Sequence, residues 1–191
     1  MADQLLRTHP LEAWTAAFEA LPDSLQITAE PFVAMADVRV PPAAAGRLAV
    51  RGTALPTAAN TWVPTSDGRL VWLGPDEWLL TSTEVAPETL EAELREQLRP
   101  VAGTAVDVSA QRIGLRISGS KARAVLAKGC SIDLHPRVFV PGNSAQTTLG
   151  QAAVVLLAID ADDFAVLVRS SFAGYLATWL LDASLEYVPL G

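Results

Sequence analysis

The chain has 191 residues, a formal net charge of −7 and 50% hydrophobic residues, with a pI near 4.8 and a mean hydropathy of +0.28. That length suits one large domain or two small ones packed together, with ample core. Acidity without a basic stripe argues against a nucleic-acid partner, the longest apolar runs (Ala152–Ile159 and Ala173–Leu181) are too short to cross a membrane, and a lone cysteine, Cys130, rules out an internal disulfide framework.

The opening stretch, MADQLLRTHPLEAW, lacks a charged-then-apolar signal pattern. With the single cysteine, this favours the cytoplasm or another reducing compartment. Pro10 to Leu21 reads as a short amphipathic helix: Pro10 suits a first turn, and Leu11, Trp14, Phe18 and Leu21 share a face. Leu25–Val40 is β-like and ends at Pro41-Pro42. Ala43–Leu55 has helical composition, weakened by Gly46 and Gly52. Asn60–Gly68 reads as a loop, with turn chemistry at Ser66-Asp67-Gly68. Two apolar runs in LVWLGPDEWLLTS (70–82) flank a hairpin turn. A helix is expected over Pro87–Leu98, with proline and acids in its first turn, then a strand over Thr104–Val108.

The second half repeats this plan. Arg112–Ser118 alternates as a strand, and Ser118 can cap a helix over Gly119–Lys128. Ala152–Ile159 and Phe164–Arg169 form a second hairpin, and Phe172–Leu181 a helix with an apolar face. Asp76-Glu77-Trp78-Leu79-Leu80 echoes Asp162-Asp163-Phe164-Ala165-Val166; from position 76 to position 162 the offset is 86 residues. The expected class is therefore α+β: two packed ferredoxin-like βαββαβ lobes, residues 1–100 with a leading helix and residues 101–191, forming one compact unit.

The apolar excess has two readings: an alanine-rich composition, or a permanent protein interface, since obligate interfaces resemble a core cut in half.

Chemistry is sparse. Cys130, Asp133 and His135 lie close in C-S-I-D-L-H-P, but a metal site needs three or four donors, and only three are local. A Cys130–His135 nucleophile pair needs hydrogen-bond reach, which spacing does not establish. The simpler reading is a small packing cysteine after a helix end, with His135 and Pro136 fixing a turn. No GxGxxG, GxxxxGK[ST] or GxSxG occurs, so no nucleotide, flavin or hydrolase motif is written here. Arg112 and Arg116 share a strand face and Arg169 ends another strand. They can grip an anion such as a folate glutamate tail, or form structural or interface salt bridges. Of the five tryptophans, Trp72 and Trp78 flank one hairpin turn, and one or two suit interface anchors.

Four segments carry a resemblance: WLGPDEWLL (72–80), VDVSAQRIGLRISG (106–119), ARAVLAKGCSIDLHPRVFVPGNSAQT (122–147) and VLVRSSFAGYLATWLLD (166–182). In them the chain resembles the gamma subunits of bacterial heterotetrameric sarcosine oxidases, with KGC-x-x-DLHP and PG-x-x-AQT as signature. A wider similarity links it to the folate-binding domain of the glycine-cleavage aminomethyltransferase (T-protein) family. That family shows D-L-S-H, then V-S-G and a helix; here stand Asp107-Val108-Ser109-Ala110 and Ile117-Ser118-Gly119. Alanine replaces the histidine. The family's acidic pair falls near Ala152-Ala153, and Gln151–Ile159 contains no acid.

The resemblance implies a non-catalytic structural subunit with no catalytic, cofactor or metal residues of its own. It implies alpha, beta and delta partner subunits holding FAD, FMN, NAD and tetrahydrofolate. It implies an assembly that demethylates sarcosine to glycine with oxygen, giving hydrogen peroxide and methylenetetrahydrofolate. Candidate interface or scaffold residues are Trp72, Trp78, Arg112, Cys130, His135, Arg169 and Phe172. The alternatives are a free-standing folate-binding transferase or repair factor of the same fold, and an unrelated α+β binding module.

Overall fold

The computed structural model describes residues 8–188; the first seven residues of the stretch read for a signal lie outside it. In chain order the elements are α1 (Thr15–Glu19), β1 (Gln26–Ala29), β2 (Ala34–Arg39), α2 (Pro42–Ala45), β3 (Ala49–Val50), β4 (Thr53–Ala54), β5 (Trp62–Pro64), β6 (Arg69–Gly74), β7 (Glu77–Ser82), α3 (Pro87–Leu98), β8 (Thr104–Asp107), β9 (Arg112–Ser118), α4 (Ala122–Ala127), β10 (Ser144–Leu149), β11 (Ala152–Asp160), β12 (Asp163–Arg169) and α5 (Ala173–Ser184).

Two five-stranded antiparallel sheets carry the fold, in the orders β5-β6-β7-β2-β8 and β10-β11-β12-β9-β1. In each, the hairpin's second strand pairs with the lobe's opening strand, the split βαβ arrangement. The two orders correspond strand for strand, so the echo is structural. Trp72 pairs with Trp78, and a bulge follows before Gly74–Glu77. Ala158 pairs with Phe164, and a bulge follows before Asp160–Asp163. All four positions in the second hairpin are those of the first displaced by 86 residues.

The sheets draw on both halves of the chain. The second lobe ends on α5, and its outer strand next to β9 is β1, from the N-terminal region. β8, after the helix α3, completes the first sheet beside β2. A boundary near residue 100 therefore falls within the α3–β8 connection of the first lobe.

Each sheet buries both faces. α1, α4 and α5 cover one sheet over a core that includes Phe18, Leu115, Leu126, Phe164, Val166 and Leu176. α2 and α3 cover the other over Val38, Trp78, Leu80, Leu90, Leu94 and Leu98. Between the sheets lie Met35, Val71, Leu73, Leu79, Val155, Leu157, Ala165 and Leu167. Central strands apolar on both faces read as continuous hydrophobic runs. The apolar excess thus has an internal destination as well. No helix among the described residues is long and apolar enough to cross a membrane.

Three local expectations change. Only Pro42–Ala45 is helical in the Ala43–Leu55 stretch; β3 and β4 then form a hairpin. Arg51 (φ 46°) and Gly52 (φ 78°) sit in the left-handed region there, as a tight primed turn requires. Asn60–Gly68 is not all loop, because Trp62–Pro64 pairs with β6, a partnership set by tertiary contact rather than local pattern. The helix α4 starts at Ala122 with Lys121 at its N-cap and no side-chain cap, rather than from Ser118. Gly119 (φ 105°) turns the chain first, pressed against the Ser24 carbonyl.

Candidate functional site

The KGC…DLHP signature forms a strap from the end of α4 to β10. Gly129 is required by contact: a Cβ there would collide with the Trp179 ring of α5 and the Gly150 amide. Cys130 bridges to Leu149, and its Sγ lies 3.9 Å from Thr147 Oγ1. Asp133 Oδ1 accepts from the His135 amide at 2.8 Å, and His135 Nδ1 accepts from the Arg137 amide at 3.2 Å. These are turn-forming bonds. No hydrogen bond joins Cys130 to His135.

What holds the strap is Arg123, which the sequence reading did not single out. Its guanidinium donates to the carbonyls of Leu134, Phe139 (3.2 Å) and Ala161 and lies 4.9 Å from the Phe164 ring centroid. A planar fork with several donors suits such a clamp. An open hollow of about 550 Å³ lies beside it, lined by Ala124, Ile132, Asp133 and His135 among others. Val138 and Val140 on the strap are exposed, at 57% and 39%.

The second feature is a pair of related pockets between the sheets, one at each lobe. Register aligns Arg112 with Val33, Arg169 with Thr83 and Ala153 with Asp67. In the first lobe a cleft of about 330 Å³ is lined by Val33, Asp67, Arg69 and Thr83. Its charges are closed internally. Asp67 is buried, takes Arg51 Nη2 at 3.1 Å and accepts from the Ser82 hydroxyl. Arg69 grips Glu30 with both terminal nitrogens, at 2.9 and 2.6 Å.

In the second lobe a cleft of about 370 Å³ is lined by Arg112, Arg169, Gln146, Thr147, Thr148 and Ala153. Arg112 and Arg169 are directly opposite in the β9–β12 ladder. The structure therefore brings together two arginines that the sequence placed on separate strands. Burial, and then the facing Arg169 charge, hold the Arg112 guanidinium below its ordinary pKa; Asp37 and Glu77 act the other way. Both of those acids are already engaged by Arg39, at 3.4 and 2.8 Å. Among the described residues no carboxylate stands within salt-bridge distance of Arg112 or Arg169. Arg116, on the same strand face, pairs with Asp163 through two bonds.

The remaining candidates separate. Trp78 is 1% exposed and donates from Nε1 to the Pro56 carbonyl at 2.8 Å, so it is a core residue. Trp72 is half-buried against the same core. Phe172 is exposed and stacks edge-on to Tyr175 at 6.4 Å. Tyr175 in turn accepts from the Gln151 amide at 3.0 Å.

The Asp107-Val108-Ser109 opening is a clip between strands. Asp107 Oδ1 accepts from the Ser109 amide at 2.9 Å and hydroxyl at 2.5 Å. Ser109 Oγ accepts from the Met35 amide at 2.8 Å. Ala153 is exposed and carries no carboxylate, and β11 is without an acid until the exposed Asp160 at its turn. These residues do not fit a carboxylate-positioned folate. No group of three His, Cys, Asp or Glu able to hold a metal occurs among the described residues.

Comparison with known proteins places these features in a family. The sarcosine oxidase, gamma subunit family matches residues 35–186. The chain is 36% identical over 168 residues to sarcosine oxidase subunit gamma of Corynebacterium sp. (strain P-1), covering 86% of this chain and 82% of that one. It is 37% identical over 162 residues to the Arthrobacter sp. subunit gamma, covering 82% and 78%. A chain of the heterotetrameric sarcosine oxidase from Corynebacterium sp. U-96, solved with pyrrole 2-carboxylate, superposes with a TM-score of 0.85 at 30% identity, over 97% of this chain and 98% of that one. The glycine cleavage aminomethyltransferase T of Bartonella henselae shares the fold, with a TM-score of 0.61 at 16% identity over 91% of this chain and 50% of that one. Sequence identity along most of the chain and superposition over nearly its whole length lead to one conclusion: this chain belongs to the sarcosine oxidase gamma subunit family.

Proposed function

We propose that the chain is a non-catalytic, structural subunit of a heterotetrameric sarcosine oxidase in the cytoplasm. Its partners are the alpha, beta and delta subunits, which hold FAD, FMN, NAD and tetrahydrofolate. The assembly demethylates sarcosine to glycine with oxygen, yielding hydrogen peroxide and methylenetetrahydrofolate. The observation that carries this reading is the near-complete superposition on a chain of such a heterotetramer. Exposed apolar side chains at Val138, Val140, Phe172 and Tyr175 support it, since exposed apolar groups of this kind suit a partner. In this reading Trp72, Phe172, Arg112 and Arg169 face partners, and Trp78, Cys130 and His135 are scaffold.

The test is affinity capture of the tagged chain from its own cells, followed by a visible spectrum and a peroxide assay with sarcosine. A yellow, high-mass complex that makes peroxide is the expected result. A colourless single chain whose tryptophan fluorescence is quenched by tetrahydrofolate would instead favour a free-standing folate-binding protein.

A further inference from the structure

We infer that the Arg112–Arg169 pocket is a docking socket for a carboxylate side chain of a partner subunit. The inference rests on the subunit reading above. Its starting point is the pair of clefts. In the first lobe the position of Asp67 supplies a buried acid, and every guanidinium there has a carboxylate. In the second lobe the matching position is Ala153, and arginines stand at 112 and 169 where the first lobe has Val33 and Thr83.

Two guanidinium groups directly opposite on one sheet face repel. On a chain of net charge −7, the nearby acids offset them only from beyond salt-bridge distance and are paired with other arginines. Asp163 is held by Arg116, Glu30 by Arg69, and Asp37 and Glu77 by Arg39. Thr147 turns its hydroxyl to Ser131, 3.2 Å away on the other face of β10, so the donors suited to a carboxylate are the two arginine forks and the hydroxyl of Thr148. Gln146 is not among them, because its amide nitrogen donates to the Leu73 carbonyl at 2.7 Å and ties the socket to the other sheet. Arg169 is exposed and Arg112 half-buried, so an incoming group reaches the first and is desolvated against the second. An acidic side chain from a partner completes in trans what Asp67 completes within the first lobe.

The test uses the assembled complex. This chain is co-expressed with its partner subunits as wild type, Arg112→Gln, Arg169→Gln, the double Gln variant and the double Lys variant. Assembly affinity is measured by analytical ultracentrifugation at low and high salt. The double Gln variant is expected to weaken assembly by roughly 30-fold or more, the size typical of truncating one side of a desolvated charge pair. It also flattens the salt dependence. The double Lys variant restores part of the affinity, keeping charge without the fork. The isolated double Gln chain melts no lower than wild type, because a repulsion has been removed; if it folds poorly, the exposed Arg169→Gln alone moves assembly in the same direction.

Wild-type assembly with indifferent Gln variants would overturn the socket. So would saturable binding of free glutarate by the isolated chain, if the Gln variants abolished that binding and left assembly unchanged. A wild-type chain that joins no complex would overturn the subunit reading itself, and the socket with it.

Discussion

The two lobes share strand order, hairpin bulges and a central aromatic, yet their inter-sheet clefts differ in charge. Around Asp67, Arg51, Glu30 and Arg69 the first lobe pairs every charge within the chain. Around Arg112 and Arg169 the second leaves two cations facing each other. Duplication thus supplies a built-in reference. Where one copy balances its charges and the other does not, the imbalance is a property of the site and not of the fold. The point where the lobes meet underlines the kinship. The Trp62 amide donates to Gly142 O at 3.0 Å and the Ser144 amide to Asn60 O at 2.8 Å, around a bridge between Thr61 and Asn143.

Substitutions test whether the two lobes are equivalent. The largest effects should fall on the matched aromatics. Trp78→Ala and Phe164→Ala each remove a buried ring from a lobe core and should cost about 3–5 kcal/mol in chemical denaturation. A large cost at only one of them would undo the equivalence. Asp67→Ala should cost about 3–5 kcal/mol, because it strips a buried carboxylate from Arg51 and Ser82. Removing charge at Arg112 should not destabilise the isolated chain.

Next comes Gly129→Ala, whose Cβ would strike the Trp179 ring. A cost of about 1–3 kcal/mol is expected, as for other overpacked sites, with loss of the near-ultraviolet signal of that tryptophan. Ala153→Asp installs in the second lobe the acid that the first lobe has. It should raise the stability of the isolated chain by up to about 1 kcal/mol, the range of partly exposed pairs, while weakening assembly. Equal signs in the two measurements would mean that the acid at 153 does not act on the Arg112–Arg169 pair.

The smallest effect concerns Glu77. Burial, and then the neighbouring Asp37 carboxylate, raise its pKa above the usual 4.5, although Arg39 opposes this. A raised carboxyl pKa means the folded state binds its proton more tightly. The associated stability is present below pH 4.5 and is lost as pH rises through the folded pKa. Glu77→Gln should remove that decline from a plot of melting temperature against pH. An unchanged slope would contradict the assignment.

Much of the fold was legible because it is locally written. Leu90, Leu94 and Leu98 at i, i+4 spacing mark α3, and turn residues between apolar runs mark both hairpins. The echo at Trp78 and Phe164 revealed the duplication. What escaped was long-range. Nothing local says that β1 completes the second lobe's sheet, or that the polar run SAQTTL is the strand β10. Arg123 reads as one more basic residue on a helix, and only the folded strap turns it into a clamp for three carbonyls. The arginines at 112 and 169 were visible as candidates. Their direct opposition across a ladder, with Ala153 in the place of an acid, depends on register, which sequence spacing does not fix.

On the proposed reading, this chain holds an oxidase together. The most direct test is to express the partner subunits with and without it, and to measure the native mass and the peroxide yield from sarcosine. The expected result is a full-mass, active complex only when the chain is present, with disassembly and lost activity when it is omitted. A complex of the remaining subunits that keeps its cohesion and its rate without the chain would contradict it.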